Sequence, residues 1–440
     1  MQLYPTDWGF FSFIGISVCY AAKALHEADT RRRWRRVFAT PTASGAAVII
    51  GFYLFVGIAD SIRFAHQGST LTALDLVLTP LRTQVERSYS SPLALRGFLK
   101  ESRLAANGVV REYPRLTYGG RHLMGVLDQQ SADVARRGGL GAGIGLLGWG
   151  VLVIVAISAR GTRLNASAIR EWRSPLVVSG IVCALLGAGV GLAPYYHILG
   201  TDKVGTDVLY QTLKSIRTGL VLGTLTILIS LPIALVLGLI AGFFRGWVDD
   251  VVQYLYSTLA SIPGVLLIAA AALTLDLYWD QHLGKLVAAG ERADLRLLGI
   301  CVVLGLSGWT SLCRLLRAEV LKLRSAEYVL AARTMGLGWI AILIRHLVPN
   351  VLHLVVITAV IDFSGLVLAE AVLTYIDIGV DPSMESWGNM INSARLELAR
   401  EPVVWWSLGA AFVFMFGLIL AANLFADAVR DAFDPRLHGS

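Results

Sequence analysis

The sequence alternates between long apolar stretches and shorter polar ones. About 20 consecutive apolar residues, wound as a helix, cross the ~30 Å hydrocarbon core of a bilayer. Stretches of that length lie near residues 8–25, 43–62, 139–158, 176–195, 216–243, 251–275, 297–316, 351–374 and 403–426. The pattern therefore predicts an all-α polytopic membrane protein with about nine transmembrane helices.

The composition supports the same class. Hydrophobic residues make up 55% of the chain, charged residues only 16%, and the mean hydropathy is +0.63. A soluble domain carries about 25% charged residues. The net charge of +7 is concentrated in short loops, as expected where Lys and Arg collect on the cytoplasmic side. We therefore expect a lipid bilayer as the surroundings and no nucleic acid partner.

The basic residues predict an orientation. The arginine-rich segment 26–42 follows the first stretch, which places this loop in the cytoplasm and the N-terminus outside. Counting onward places 159–175, 317–350 and the C-terminus in the cytoplasm. The large loop 63–138 then lies outside. Arg136 and Arg137 disagree with this assignment, but long loops follow the rule weakly.

The outer loop 63–138 is polar and has no sustained periodicity. A helix over Leu71–Arg87 is its clearest predicted element. The segment could be a small extracytoplasmic cap, a docking surface or a spacer, and the sequence leaves these three interpretations open.

One polar stretch, 326–350, keeps helical spacing yet carries charges, including Arg333, that are costly at membrane depth. Gly336 is suited to end a helix by taking a left-handed conformation. A second short helix is predicted over Trp339–Leu347. Pro349 suits the first turn of the element that follows, because a proline lacks the N–H that is unpaired there anyway. The stretch predicts helix, sharp turn, helix.

This stretch resembles the EAA loop of permease subunits of binding-protein-dependent ABC importers. That loop has Glu-Ala-Ala, a Gly four residues after the second Ala, and a Pro thirteen residues further on. The chain keeps Ala331, Ala332, Gly336 and Pro349 at these intervals, with Leu330 in place of the Glu. The resemblance implies an ATPase-coupling loop that includes Ala331, Ala332, Gly336, Leu337, Trp339 and Pro349.

A longer resemblance runs from Trp172 to the C-terminus. Over this range the chain resembles the C-type permease subunit of dipeptide, oligopeptide and nickel importers. Five further motifs carry it: Leu192-Ala193-Pro194 with Leu199-Gly200-Thr201-Asp202 and Gly205-Thr206-Asp207, Gly246-Trp247-Val248-Asp249, Leu368-Ala369-Glu370, Ser386-Trp387-Gly388-Asn389-Met390, and Asp427 through Arg436. It implies that 171–440 form a six-helix type I importer core with a cytoplasmic coupling loop at 326–350. Residues 1–170 would be an N-terminal extension with three transmembrane helices and the 63–138 loop.

The implied function is that of a permease subunit in an ATP-driven importer of the bacterial inner membrane, with peptides as substrate. Nickel or antimicrobial peptides are alternatives within the same machinery, and an ion-coupled secondary transporter is an alternative outside it. The chain has no GxxxxGK[ST] motif to cradle ATP phosphates, so we expect no cofactor and no enzymatic activity here. ATP would be hydrolysed by separate cytoplasmic ATP-binding subunits. Further expected partners are a second, B-type permease and an extracytoplasmic substrate-binding protein that docks near 196–212 and 376–402.

Two carboxylates, Asp362 and Glu370, fall within the eighth apolar stretch. A carboxylate at membrane depth usually faces a bundle interior or a wet cavity. The pair is therefore a candidate for lining the translocation pathway and meeting a cationic group of the substrate, and helix packing is the alternative. We expect no metal site, because neither His346 nor His353 has a partner at metal-ligand spacing.

Overall fold

The structure, a computed structural model, describes residues 3–66, 69–105, 108–123, 129–160, 166–282 and 289–433. The helices are α1 (Pro5–His26), α2 (Ala28–Ala39), α3 (Pro41–Ser61), α4 (Ala73–Val77), α5 (Thr79–Thr83), α6 (Gln130–Arg160), α7 (Ala166–Leu192), α8 (Val208–Phe244), α9 (Trp247–Ser261), α10 (Gly264–His282), α11 (Ala289–Gly308), α12 (Thr310–Leu323), α13 (Glu327–Thr334), α14 (Trp339–Ile342), α15 (Val348–Tyr375), α16 (Trp387–Glu397) and α17 (Trp406–Phe433). The strands are β1 (Arg63–His66), β2 (Ser69–Thr72), β3 (Glu101–Ala105) and β4 (Gly108–Glu112). The last residues of the C-terminal sequence motif, 434–436, lie outside the described residues.

The predicted helical membrane class is confirmed. Within the described residues, seven helices are long and apolar enough to cross a membrane, or eight if the bent pair α9–α10 counts as one. The nine predicted spans included 8–25, which falls in α1. This helix has 22 residues; it is not among the seven or eight found in the described residues, and its use as a span stays a prediction.

The chain divides into two compact units. One consists of Met1–Leu3, Phe38–Thr218 and Glu385–Ala421, and the other of Tyr4–Val37, Gly219–Met384 and Ala422–Ser440. The division predicted at residue 170 concerns sequence resemblance, and it stays a prediction.

In the first unit, α3 packs against elements from the C-terminal part of the chain. The Tyr53 hydroxyl donates a hydrogen bond of 2.7 Å to the carbonyl of Phe414. The Tyr53 ring also meets the buried ring of Trp387 edge to face at 6.3 Å. Trp387 belongs to the Ser-Trp-Gly motif and donates from its indole nitrogen to the Thr212 carbonyl at 3.2 Å. Two buried aromatic side chains thus hold α3, α16 and α17 together with the start of α8.

Helices α6 and α7 form a hairpin whose two helices approach closely. A Cβ atom on Gly191 would lie 2.9 Å from the Arg137 carbonyl oxygen, and one on Gly187 would lie 3.0 Å from the backbone of Gly145. Small residues at such positions allow helix backbones to come into contact. Only 6% of the apolar window of α6 and 11% of that of α7 is buried, compared with 39% for α3. The hairpin therefore presents most of its apolar surface outward.

Residues 63–123, which we name the cap, contain two antiparallel hairpins, β1–β2 and β3–β4, with α4 and α5 between them. The long helix predicted over Leu71–Arg87 is wrong: β2 and two five-residue helices occupy much of it. The break falls at Leu78, between α4 and α5, which has φ −92° and ψ 19°. Pro80 follows in the first turn of α5, because a proline lacks the N–H that would continue the hydrogen bonds of α4.

In the second unit, α8 and α12 pack face to face. A Cβ atom on Gly238 would lie 2.8 Å from the Leu316 side chain, and one on Gly242 would lie 2.7 Å from that of Val320. These two glycines are four residues apart and share one helix face. The chain between α9 and α10 breaks at Pro263, where a proline removes a helical hydrogen bond. The C-terminal part of α8, helix α12 and the N-terminal part of α15 share one core, on which the 326–350 stretch rests.

Candidate functional site

The first helix of the 326–350 stretch, α13, ends at a glycine in the left-handed region. Gly336 has φ +77°. Its N–H donates to the Arg333 carbonyl at 3.0 Å, and the Leu337 N–H donates to the Ala332 carbonyl at 3.2 Å. This pair of bonds is the Schellman motif, which satisfies carbonyls left open at a helix end. The predicted conformation of Gly336 is confirmed.

The second helical run continues into a membrane-length helix. After α14, residues Leu343–Leu347 form a π-helical turn, and α15 begins at Val348 with Pro349 in its first turn. A proline inside a continuous helix clashes with the carbonyl four residues earlier, here that of Arg345. A wider turn around Arg345 relieves that clash. The predicted helix and the predicted place of Pro349 are confirmed. The 326–350 stretch, which we name the hook, continues into α15 without a loop.

One face of the 326–350 stretch packs against the hydrophobic core of the second unit. Val329, Ala332 and Leu347 are buried against the C-terminal part of α8, helix α12 and the N-terminal part of α15. The Arg333 guanidinium lies 4.6 Å from the centre of the Phe243 ring, at the end of α8. The 326–350 stretch is therefore packed tightly onto membrane-length helices of its unit, and packed cores are stiff.

The opposite face is apolar and exposed. Six large apolar side chains are between 38% and 74% exposed: Leu330, Met335, Leu337, Trp339, Ile340 and Ile344. We name these six residues the coupling patch. Trp339 is held in place by an edge-to-face contact of 5.2 Å with Phe244. Ala331 is exposed beside the patch, whereas its neighbour Ala332 is buried. An exposed apolar surface of this kind is a candidate docking site for another protein.

An ion pair that the sequence did not reveal braces this region. The Arg317 guanidinium on α12 binds the Asp249 carboxylate on α9 in bidentate fashion, at 2.5 Å and 2.7 Å. Asp249 belongs to the Gly-Trp-Val-Asp motif, and its position in the first turn of α9 also suits a negative charge. Since the partners are 68 residues apart, no local spacing could have joined them.

The two carboxylates of α15 lie in different surroundings. Glu370 is 1% exposed and accepts a hydrogen bond of 3.2 Å from the Thr374 hydroxyl. Asp362 is exposed, on a face that it shares with Ile361, Gly365 and Leu368. Residues eight apart on a helix are rotated by about 80° from each other, which explains why the pair does not share one face. The pathway role of both residues stays a prediction.

A buried charged cluster binds the cap to the segment that precedes α8. The Glu86 carboxylate accepts hydrogen bonds from the backbone N–H groups of Thr117, Tyr118 and Gly119, at 2.8 to 3.1 Å. His197 lies 3.6 Å from that carboxylate and 2.8 Å from the Asp207 carboxylate. All three side chains are at most 2% exposed.

The charges of this cluster stabilise one another. Burial alone would raise the pKa of Glu86, but the nearby His197 and the hydrogen bonds from the backbone outweigh it and lower that pKa to about 2. Burial alone would lower the pKa of His197, but its hydrogen bond to Asp207 and the nearby Glu86 carboxylate raise it to about 9. An imidazolium between two carboxylates is therefore the state at neutral pH.

Two further contacts hold the cap. The Lys214 ammonium lies 3.0 Å from the Asp75 carboxylate, which also accepts from the Tyr210 hydroxyl at 2.7 Å. The buried Thr201 hydroxyl lies 2.8 Å from the Ser88 carbonyl, and the Trp406 indole donates to the Thr201 carbonyl at 2.9 Å. The side chains of the motif residues Thr201 and Asp207 thus make contacts within the chain.

The chain resembles known membrane transport proteins. The family described as "Binding-protein-dependent transport system inner membrane component" matches residues 234–439. A protein named as a peptide permease in Brucella suis biovar 1 is 32% identical over 242 residues, covering 54% of this chain and 73% of that protein. The dipeptide transport system permease protein DppC of Lactococcus lactis is 31% identical over 240 residues, covering 54% and 64%. The oligopeptide transport system permease protein OppC of Mycobacterium bovis is 30% identical over 239 residues, covering 54% and 76%.

These matches agree with the fold. The family region contains the 326–350 hook, the coupling patch and α15. The implied resemblance is confirmed, and the chain belongs to the family of binding-protein-dependent transport system inner membrane components, as a multi-pass membrane permease.

Proposed function

We propose that this chain is a permease subunit of an ATP-driven importer that carries peptides across the bacterial inner membrane. The single observation that carries the proposal is the hook at 326–350, which is buried on one face, apolar and exposed on the other, and continuous with α15. The substrate class rests on the similarity to proteins named as peptide, dipeptide and oligopeptide permeases.

The coupling patch is the proposed seat of a cytoplasmic ATP-binding subunit. Such a subunit would bind the patch more tightly in one conformation than in the other. Only such a difference in affinity can move an equilibrium between outward and inward openings. Force would pass from the patch through Ala332 and Val329 into the core that the hook shares with α8 and α12. This placement requires residues 326–350 and the C-terminus in the cytoplasm, and the N-terminus outside.

The exposed face of α15 around Asp362 is the proposed meeting point of the substrate pathway with a second, B-type permease. A charged side chain in an apolar helix is costly against lipid. A partner subunit or a water-filled passage would cover it at lower cost. Within this scheme Asp362 faces the substrate, and Glu370 supports the helix from inside.

The extracytoplasmic substrate-binding protein is proposed to dock on the cap. The segments 196–212 and 376–402 were expected to serve this purpose, and that expectation stays a prediction. Within 196–212, Thr201 and Asp207 are fully buried, whereas Lys203 and Val204 are exposed. The cap lies against this segment and adds its own exposed surface. Arg87 and Arg96 are exposed there, which favours a receptor with acidic groups on its docking face.

A photo-crosslinking experiment in native membranes tests the main proposal. A photoreactive amino acid at Met335, the most exposed member of the coupling patch at 74%, should give a cross-linked product that contains an ATP-binding subunit, identified by mass spectrometry. The same amino acid at exposed Arg96 of the cap serves as the control and should give no such product. Cross-linking of the ATP-binding subunit from Arg96 and not from Met335 would overturn the proposal.

A further inference from the structure

Helix α2 carries a dense basic face that plays no part in the proposed transport function. Five of its residues are arginines: Arg31, Arg32, Arg33, Arg35 and Arg36. All five are exposed. At 100° per residue, Arg31, Arg32, Arg35 and Arg36 fall within an arc of about 140°. Guanidinium groups are therefore presented side by side along one face.

The other face of α2 is fastened to α17, which fixes the direction of the arginines. The Trp34 ring packs edge to face on Phe433 at 5.6 Å and stacks on Phe425 at 6.4 Å. Val37, one turn further on, is fully buried. The Arg33 guanidinium lies 5.7 Å from the centre of the Phe433 ring. Since Trp34 and Val37 point inward, the remaining arginines point away from the protein.

The position of α2 along the chain places it at the membrane surface. Only Thr40 separates its last residue, Ala39, from Pro41, the first residue of the α3 span. Consecutive Cα atoms are ~3.8 Å apart, so the end of α2 lies within a few ångströms of the start of the span. Phe38, at that same end, is 50% exposed, and an amphipathic helix with exposed aromatic and basic residues is typical of the interface.

The basic face keeps a net positive charge. Segment 27–36 has five arginines against two acidic residues, Glu27 and Asp29. Among the side chains that the structure describes, the five arginines are in no ion pair, and Glu27 accepts a hydrogen bond from the Thr30 hydroxyl at 3.1 Å. A guanidinium fits a phosphate with two parallel hydrogen bonds. A row of exposed arginines at the depth of the headgroups therefore matches phosphodiesters that carry a negative charge.

We propose that α2 is a binding site for anionic phospholipid headgroups, with Arg31, Arg32, Arg35 and Arg36 as the phosphate ligands and Trp34 as the anchor that orients them. The site does not depend on the substrate or on the leaflet in which α2 lies. Each basic residue close to an anionic membrane surface contributes about fivefold in affinity. Loss of three arginines should therefore weaken binding on the order of a hundredfold.

Native mass spectrometry of the purified full chain tests this proposal. The chain is reconstituted in nanodiscs made of an equal mixture of phosphatidylglycerol and phosphatidylcholine, released into detergent, and the retained lipids are counted. Wild type should retain phosphatidylglycerol in preference to phosphatidylcholine, and added salt should reduce that preference because it screens the charges. The triple variant R31Q/R32Q/R35Q should lose it.

The matched control is R87Q/R96Q/R111Q, which removes the same charge from exposed positions of the cap and should keep the preference. The variant R31K/R32K/R35K keeps the charge and should retain much of the preference, which shows that α2 still folds. Equal losses in the α2 and cap variants would overturn the proposal, as would an unchanged preference in R31Q/R32Q/R35Q. Displacement of the lipid by inorganic phosphate at equal concentration would instead assign the face to a free anion and would also overturn it.

Discussion

Glu86 and His197 lie 3.6 Å apart in a cluster with almost no access to solvent, and they join the cap to the segment ahead of α8. The stability of this junction should depend on pH. The pKa of His197 is raised to about 9 from an ordinary value near 6.5. Its contribution is therefore complete below about pH 6.5 and disappears as the pH rises through about 9.

The variant that tests this pH dependence is His197→Gln, which removes the positive charge of the imidazolium. The difference in melting temperature between wild type and this variant should be largest near pH 6 and should shrink toward pH 9.5. The corresponding free energy is on the order of 3 kcal/mol. Differential scanning fluorimetry of the purified chain measures it. A difference that stays constant from pH 6 to pH 9.5 would show that the imidazole is not charged in the folded protein.

Glu86 should contribute to stability with the opposite pH dependence. Its pKa is lowered to about 2, so its contribution is present above about pH 4.5 and is lost as the pH falls through about 2. Glu86→Gln leaves the N–H groups of Thr117, Tyr118 and Gly119 with a neutral acceptor and should lower the melting temperature at neutral pH. At very acidic pH, variant and wild type should converge, and the same fluorimetry checks this.

Local patterns predicted the parts of the fold that depend on local physics. Gly336 and Pro349 marked the helix end and the helix start because left-handed backbone and a missing N–H are properties of single residues. The apolar stretches from 43–62 onward predicted the spans found in the described residues, and the use of 8–25 as a span stays a prediction. The π-helical turn ahead of Pro349 was not predicted, since it follows from the clash between two residues in a continuous helix.

Relations between distant residues could not be read from the sequence. Arg317 and Asp249, like Glu86 and His197, are paired by helix packing and by the path of the cap. Asp362 and Glu370 looked equivalent in the sequence, but their neighbours in the fold bury one and leave the other exposed. The burial of Thr201 could not be foreseen for the same reason, because the Ser88 carbonyl that it meets is more than one hundred residues away in sequence.

The bidentate pair of Arg317 and Asp249 should matter for the stability of the coupling region. Arg317→Gln leaves a carboxylate that is only 11% exposed without its partner, which costs about 3 kcal/mol for a buried pair. Arg317→Lys should recover only part of this loss, because an ammonium does not supply two parallel donors. Thermal melts of the detergent-solubilised chain give the order wild type, Lys, Gln. Equal melting temperatures for all three would mean that the pair contributes nothing to the fold.

Gly336 and Gly338 form a matched pair for testing the hook. A Cβ atom would meet no atom within 4 Å at either position, but only Gly336 has a positive φ, +77°, whereas Gly338 has φ −62°. Alanine costs about 1 to 2 kcal/mol in left-handed backbone. Gly336→Ala should therefore shift the end of α13 and reduce peptide uptake, while Gly338→Ala stays close to wild type.

Uptake of a labelled peptide by cells, normalised to the amount of permease in the membrane, measures this difference. Normal membrane levels of both variants show that neither change prevents insertion. If Gly336→Ala and Gly338→Ala transport equally well, the left-handed turn is not needed for coupling, whatever the rest of the hook does.

Asp362 provides a test that separates a pathway role from a packing role. If its carboxylate meets the cationic amino terminus of a peptide, Asp362→Asn should weaken uptake of a free peptide by about tenfold or more, the size of a charge-assisted hydrogen bond. Uptake of the same peptide with an acetylated amino terminus should change little, because that substrate carries no charge for the carboxylate to meet. Glu370→Gln is the control: its side chain is buried against Thr374, so it should lower the melting temperature without changing the ratio of the two uptake rates. An equal loss for free and acetylated peptide in Asp362→Asn would assign Asp362 to helix packing or to the contact with the second permease.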